Sequence, residues 1–174
     1  MASENPPANS TPASRRSRRA ASPVARGSRS TARLAAVQAL YQQATTAVPL
    51  AKLLHEFHQH RLAAEPEGSD EVEQLQPADR AFFDDLVSGG LARQQELDAT
   101  ITRFLQPGWN VDRLDRLMLQ ILRCGAYEML ARPDVPHGAV VSEYVDVARA
   151  FYDRPEAGFV NALLDRLGKT VRAG

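Results

Sequence analysis

Apolar residues recur along this chain at helical spacing, and nowhere do they alternate with period two over a strand's length. Leu34, Val37, Leu40, Tyr41 and Ala44 form one stripe, and Thr31 just ahead of it is a natural N-cap. Pro49 separates this helix from a second over about 50–63, with Leu50, Leu53, Leu54, Phe57 and Leu62 inward. The segment AEPEGSDEVEQLQPADR holds six acids in seventeen residues with two prolines and one glycine, and reads as an exposed acidic connection. The pattern resumes at Asp79 with Phe82, Phe83, Leu86 and Val87, then meets a soft point at Gly89-Gly90. A helix over about 93–105 follows, with Leu97, Ile101, Phe104 and Leu105, and QPGWN ends it. Residues 111–131 are apolar on more than one face and predict the central helix of a bundle. RPDVPHG predicts a rigid turn, Pro136 opens a helix over about 136–151, and a last helix spans about 156–171. The expected fold is all-α, about seven helices in two packed groups, with the hinge between groups in the acidic connection.

Charge changes the picture at one end. Residues 1–33 carry seven arginines against one acid, Glu4, a net of +6, whereas residues 34–174 carry 14 basic and 20 acidic residues, a net of −6. Residues 1–30 are Ser, Pro, Ala and Arg with almost no large apolar side chain. Burial there cannot offset ordering entropy, so this arm is expected to be disordered when free. Residues 31–174 then form the folded domain. A basic arm on an acidic body calls for a polyanionic partner, or for the arm folding back on its own body. No apolar run in residues 1–30 suggests a secretory signal, and no run approaches a membrane span, so a cytoplasmic location is expected.

Catalytic chemistry finds little support. The Gly-Lys-Thr of LDRLGKT lacks the glycine a phosphate loop needs five positions before Gly168, where Leu163 stands. His55, His58 and His60 are spaced by three and two rather than four, so they read as a solvated helix face and not a metal set. His137 lies in a turn. Cys124 sits in an apolar helical pattern and reads as a small buried hydrophobe. Neither metal nor cofactor is expected. Binding is better supported: the arm's arginines can neutralise phosphates, and Tyr41 offers a stacking plane. Tyr41 follows Arg33 by eight residues, two turns plus a small offset, so the two could flank one groove. Taken alone, Tyr41 at this spacing reads as a core tyrosine.

The residues also carry a family likeness. ARLAAVQALYQ (32–42), FFDDLVSGGLARQQELDATITRFL (82–105), AYEMLARPDVPHGAVVSEYVDVA (126–148) and FVNALLD (159–165) together resemble the NusB family of bacterial transcription antitermination factors, over about residues 32–172. The resemblance implies two helical subdomains. It implies binding of single-stranded boxA RNA in nascent ribosomal RNA leader transcripts, together with NusE, a small-subunit ribosomal protein, within a complex on RNA polymerase. It implies an RNA side made of Arg15, Arg16, Arg18, Arg19 and Arg29 of the arm with Arg33, Tyr41 and Phe159. It implies a NusE side near Phe104, Asp112, Asp115, Met118 and Leu119. A homodimer that hides the basic surface is a further expectation. The chain departs from the family pattern at Gly158, Ala162, Ser142 and Met118-Leu119, where Lys, Gly, Asn and Glu-Arg are common. Two other readings compete: a NusB-like domain cut from a ribosomal RNA cytosine methyltransferase, and a helical adaptor that binds only protein. The first lacks a glycine-rich cofactor loop and a Pro-Cys motif in this sequence.

Overall fold

The computed structural model describes residues 27–62 and 79–173, and among them the only regular elements are helical. In chain order these are α1 (Ser28–Thr46), α2 (Leu50–His60), α3 (Arg80–Ala92), α4 (Gln94–Thr102), α5 (Arg116–Ala131), α6 (His137–Phe151) and α7 (Arg154–Val171), with one 3-10 turn at Val111–Arg113 before α5. Side-chain caps set two of the seven α-helix starts. The Asp79 carboxylate accepts from the Phe82 N–H at 2.9 Å and starts α3. Asp115 accepts from the Met118 N–H at 3.3 Å and starts α5. Pro155 occupies the first turn of α7.

α5 is the axis. From Met118 to Met129 every residue is buried, including Gln120, Arg123 and Glu128. Helices α1, α2 and α3 pack as one group and α4 to α7 as another, and α5 touches both. Each large apolar side chain taken from water there contributes about 1.5–3 kcal/mol. Two glycines let helices approach closely. A Cβ on Gly89 would lie 2.1 Å from the Tyr127 ring, and one on Gly125 would lie 2.6 Å from Leu164.

Several sequence expectations change. Gly89-Gly90 is no soft point, because α3 runs through it to Ala92. The hinge does not fall in the acidic connection. Helices α2 and α3, which flank that connection, belong to the same group: Phe57 stacks on Phe83 with ring centroids 5.5 Å apart, and His58 Nε2 lies 2.6 Å from Asp84. The two groups meet instead at Arg93, the single residue between α3 and α4. The central helix starts at Arg116 rather than 111, since Leu114 is extended and Asp115 provides the cap. α1 starts one turn earlier than Thr31, with Gly27 at the N-cap. Tertiary contacts hold that added turn: the Asp79 N–H donates to the Ser28 carbonyl at 3.1 Å, and the Ser30 hydroxyl lies 2.8 Å from a Glu143 oxygen. Residues 1–26, including Arg15, Arg16, Arg18 and Arg19, lie outside the described residues, as do residues 63–78 of the acidic connection.

Candidate nucleic-acid and partner interface

α1 carries the sequence-derived candidates, and its two ends behave differently. At the C-terminal end Tyr41 is 41% exposed, one of four large hydrophobics so displayed among the described residues, with Trp109, Phe151 and Phe159. Tyr41 therefore leaves the apolar stripe in which the spacing placed it, and Leu34 and Ala44 are not buried either. The buried face of α1 is instead Ala32, Ala35, Ala36, Val37, Ala39 and Leu40, with Arg33 among them.

Tyr41 opens onto a groove of about 510 Å³ lined also by Val111, Asp112, Leu114, Arg116 and Leu119. The RNA candidate Tyr41 thus shares one groove with two residues of the expected partner side, Asp112 and Leu119. The groove holds one cation and one acid, so its charge is nearly balanced. An aromatic ring, three aliphatic side chains and a guanidinium balanced by an acid suit a planar base or a protein side chain better than a phosphate. Arg116 was not singled out from sequence. Its place in the first turn of the helix capped by Asp115 is the signal that could have found it. Near the groove, the exposed Trp109 has the Arg113 guanidinium 5.7 Å from its ring centre.

The other candidates lie elsewhere. Phe159 is exposed on α7 and is not among the residues lining this groove. Phe104 is half-buried between the guanidiniums of Arg103 and Arg166, at 5.8 and 5.7 Å. Asp115 is engaged twice, by the Met118 N–H and by the Tyr152 hydroxyl. Burial first, and the Asp115 hydrogen bond second, push the Tyr152 phenol up. Met118 is buried, so it offers little to a partner, and Leu119 only edges the groove.

Arg33 corrects the sequence expectation most directly. Its side chain is 5% exposed and its guanidinium forks onto Glu128 of α5, with Nε 3.0 Å from Oε2 and Nη2 2.5 Å from Oε1. A guanidinium turned into the core has no face for phosphate. Burial works against its charge, but the Glu128 hydrogen bond and charge outweigh this and raise its pKa. Glu143 of α6 stands 3.6 Å away, tying a third helix to the pair. Arg29, one turn earlier, is 43% exposed and leans on Asp79 at 3.7 Å and Asp134 at 3.8 Å. Arg29, Arg33 and Arg132 all lie within 5.1 Å of the Phe82 ring centre, a cluster compensated by the surrounding acids. For Arg29, contact with the acidic body is therefore the observed arrangement.

Cys124 takes the plain role expected of it, and the histidines do so only in part. Cys124 is fully buried, and burial pushes its thiol up. His55 and His60 are exposed, but His58 is half-buried between Asp84 and the Phe83 ring, and His137 opens α6 with Asp165 3.0 Å away instead of lying in a turn.

Comparison with known proteins bears on the family and the fold. The NusB family model matches residues 30–169. A transcription antitermination protein NusB of Sphingopyxis alaskensis is 61% identical over 145 residues, which is 83% of this chain and 95% of that protein. Its counterpart from Novosphingobium aromaticivorans is 58% identical over 144 residues, 83% of this chain and 95% of that protein. Among solved structures, T. maritima NusB superposes with a TM-score of 0.63 at 25% identity, covering 80% of this chain and 89% of that one. A chain in the crystal structure of antitermination factors NusB and NusE in complex with dsRNA does so with a TM-score of 0.64 at 22% identity, covering 82% and 97%.

Proposed function

The chain belongs to the NusB family, and from that premise we propose that it is a transcription antitermination factor that binds boxA RNA of nascent ribosomal RNA leader transcripts jointly with NusE, within an RNA polymerase antitermination complex. That role is cytoplasmic and needs no catalytic group. The observation that carries the reading is the exposed Tyr41 ring over a groove of balanced charge. A single base stacks on the ring and the Arg116 guanidinium sits beside it. Phosphate neutralisation falls to the arm, through Arg15, Arg16, Arg18, Arg19 and a released Arg29. Because Arg116 is the one cation among the described residues lining the groove, affinity for RNA alone is modest. Asp112 and Leu119, which line the same groove, then give NusE a place next to the base. Phe159 supplies a second aromatic outside this groove. The span of 95% of a relative named as an antitermination protein favours this role over that of a methyltransferase fragment.

The test is a titration of labelled boxA and scrambled RNA with the chain, with NusE and with both, at several salt concentrations. The mixture should bind boxA more tightly than either component and prefer it to the scrambled strand. A mixture no better than its stronger component removes the joint-recognition model, and equal binding of both strands favours the protein-only adaptor. Light scattering on the same samples reads any homodimer.

A further inference from the structure

The buried charge at the start of α1 is unusual for its surroundings. Four of the side chains with which α1 meets the body are alanines, at 32, 35, 36 and 39, the i, i+3, i+4, i+7 stripe. Alanine buries little area and presents no knob. A stripe of four slides or rotates against a neighbour with little loss of shape complementarity. Val37 and Leu40 are the only larger apolar side chains buried on that helix. The Arg33–Glu128 fork supplies the missing directionality, because a bidentate guanidinium–carboxylate contact tolerates little rotation. Ser30 and Arg33 reach Glu143 from the same end, so α5 and α6 both grip one turn of α1.

Such a pair is a poor choice for stability alone. Desolvation offsets most of the attraction, and apolar residues of similar volume often serve as well or better. The site also holds a third polar group: the Tyr144 hydroxyl, fully buried beside Glu128, makes no hydrogen bond of normal geometry among the described residues. What the pair can contribute is register. From Arg33 to Tyr41 is eight residues, about 12 Å of helix, so a rigid rod carries any rotation at one end to the other.

We infer that Arg33 and Glu128 are positioning residues for the RNA groove: their buried fork fixes the rotation and height of α1 against α5 and α6, and with them the place of the Tyr41 ring and the point where the basic arm leaves the body. The inference rests on the proposed RNA-binding role only for its functional consequence.

The decisive variant is Arg33→Met/Glu128→Leu/Tyr144→Phe, which removes both charges and the Tyr144 hydroxyl together. Its melting temperature should equal or exceed that of the wild type. Its boxA affinity in the presence of NusE should nevertheless fall about 5- to 150-fold, the span of one stacking contact. Adding Tyr41→Ala should then cost almost nothing further, whereas in the wild type it costs that same factor. A triple variant that keeps wild-type affinity and the full Tyr41 penalty overturns the inference. Should the triple variant not fold, Arg33→Lys decides: it keeps the charge and loses the fork, so boxA affinity should drop while the chain still melts cooperatively, and wild-type binding by this variant is equally fatal. If the wild type itself fails to select boxA, the functional reading is lost, yet positioning is still read without RNA. The ring NMR shifts of Tyr41 should move in these variants, and unmoved shifts sink the positioning role on its own.

Discussion

Arg29 and Arg33 stand one turn apart on the same helix, carry the same charge and lie over the same Phe82 ring at 4.7 and 5.0 Å. One is 43% exposed and touches its acids at 3.7 and 3.8 Å; the other is 5% exposed and holds Glu128 in a two-point fork. The difference comes from what faces them. Arg29 looks out between the start of α3 and the turn after α5, where water competes for both partners. Arg33 looks into α5, at a carboxylate with no exposure at all. A solvated pair such as Arg29 with Asp134 is exchangeable, which is what the proposed phosphate contact requires of it. A buried pair is not, and Arg33 is spent on Glu128 inside the body.

The sharpest break of this comparison is Glu128→Leu alone. It strands the Arg33 charge in the core and should cost about 3–5 kcal/mol of stability, measured by chemical denaturation. A loss near that of a surface substitution would mean Arg33 escapes to water and the two arginines are alike after all. Next, Tyr41→Ala should weaken boxA binding by about 1–3 kcal/mol with a small change in melting temperature, since the ring is 41% exposed. A large melting shift with unchanged binding per folded molecule would return Tyr41 to the core. Third, Arg29→Gln should change stability by under about 1 kcal/mol. In RNA titrations it should make the log-affinity against log-salt slope shallower by about 0.7. An unchanged slope would show that Arg29 never leaves its acids.

The smallest effect concerns pH. The Arg132 hydrogen bond, chiefly, holds the Asp134 carboxyl below the usual carboxylate range, with Arg29 a minor contributor. A lowered folded pKa stabilises at pH above the unfolded value of about 3.9 and loses that stabilisation as pH falls through the folded one. Asp134→Asn should therefore slightly lower the melting temperature at neutral pH and leave it unchanged near pH 2. A difference that persists in acid would assign the effect to something other than charge.

Much of the fold was readable because it depends on local rules. α6 was expected over about 136–151 and runs His137–Phe151, since Pro136 opens it and Val140, Val141, Tyr144, Val145 and Ala148 share one face. α5 was legible as the central helix from its all-round apolarity, but its start was misplaced because the apolar run continues through a 3-10 turn whose backbone the pattern does not encode. Gly89-Gly90 looked like a break because a glycine's neighbour across space, here Tyr127, has no trace in the local sequence.

At the candidate site the division is sharper. The sequence by itself determined that α1 is a helix with a basic lead-in, that Tyr41 and Arg33 lie on it eight residues apart, and which family the chain resembles. The first two follow from spacing and composition, the third from the motifs at 32–42, 126–148 and 159–165 taken together. Only the tertiary structure decided that Tyr41 faces solvent and Arg33 the core. Alanines at 32, 35, 36 and 39 give α1 a buried face with little bulk to mark it, so either residue could have been turned inward. The outcome depends on Glu128, ninety-five residues further along the chain: a buried guanidinium is tolerable only where a buried carboxylate meets it, and no local pattern around Arg33 announces that partner.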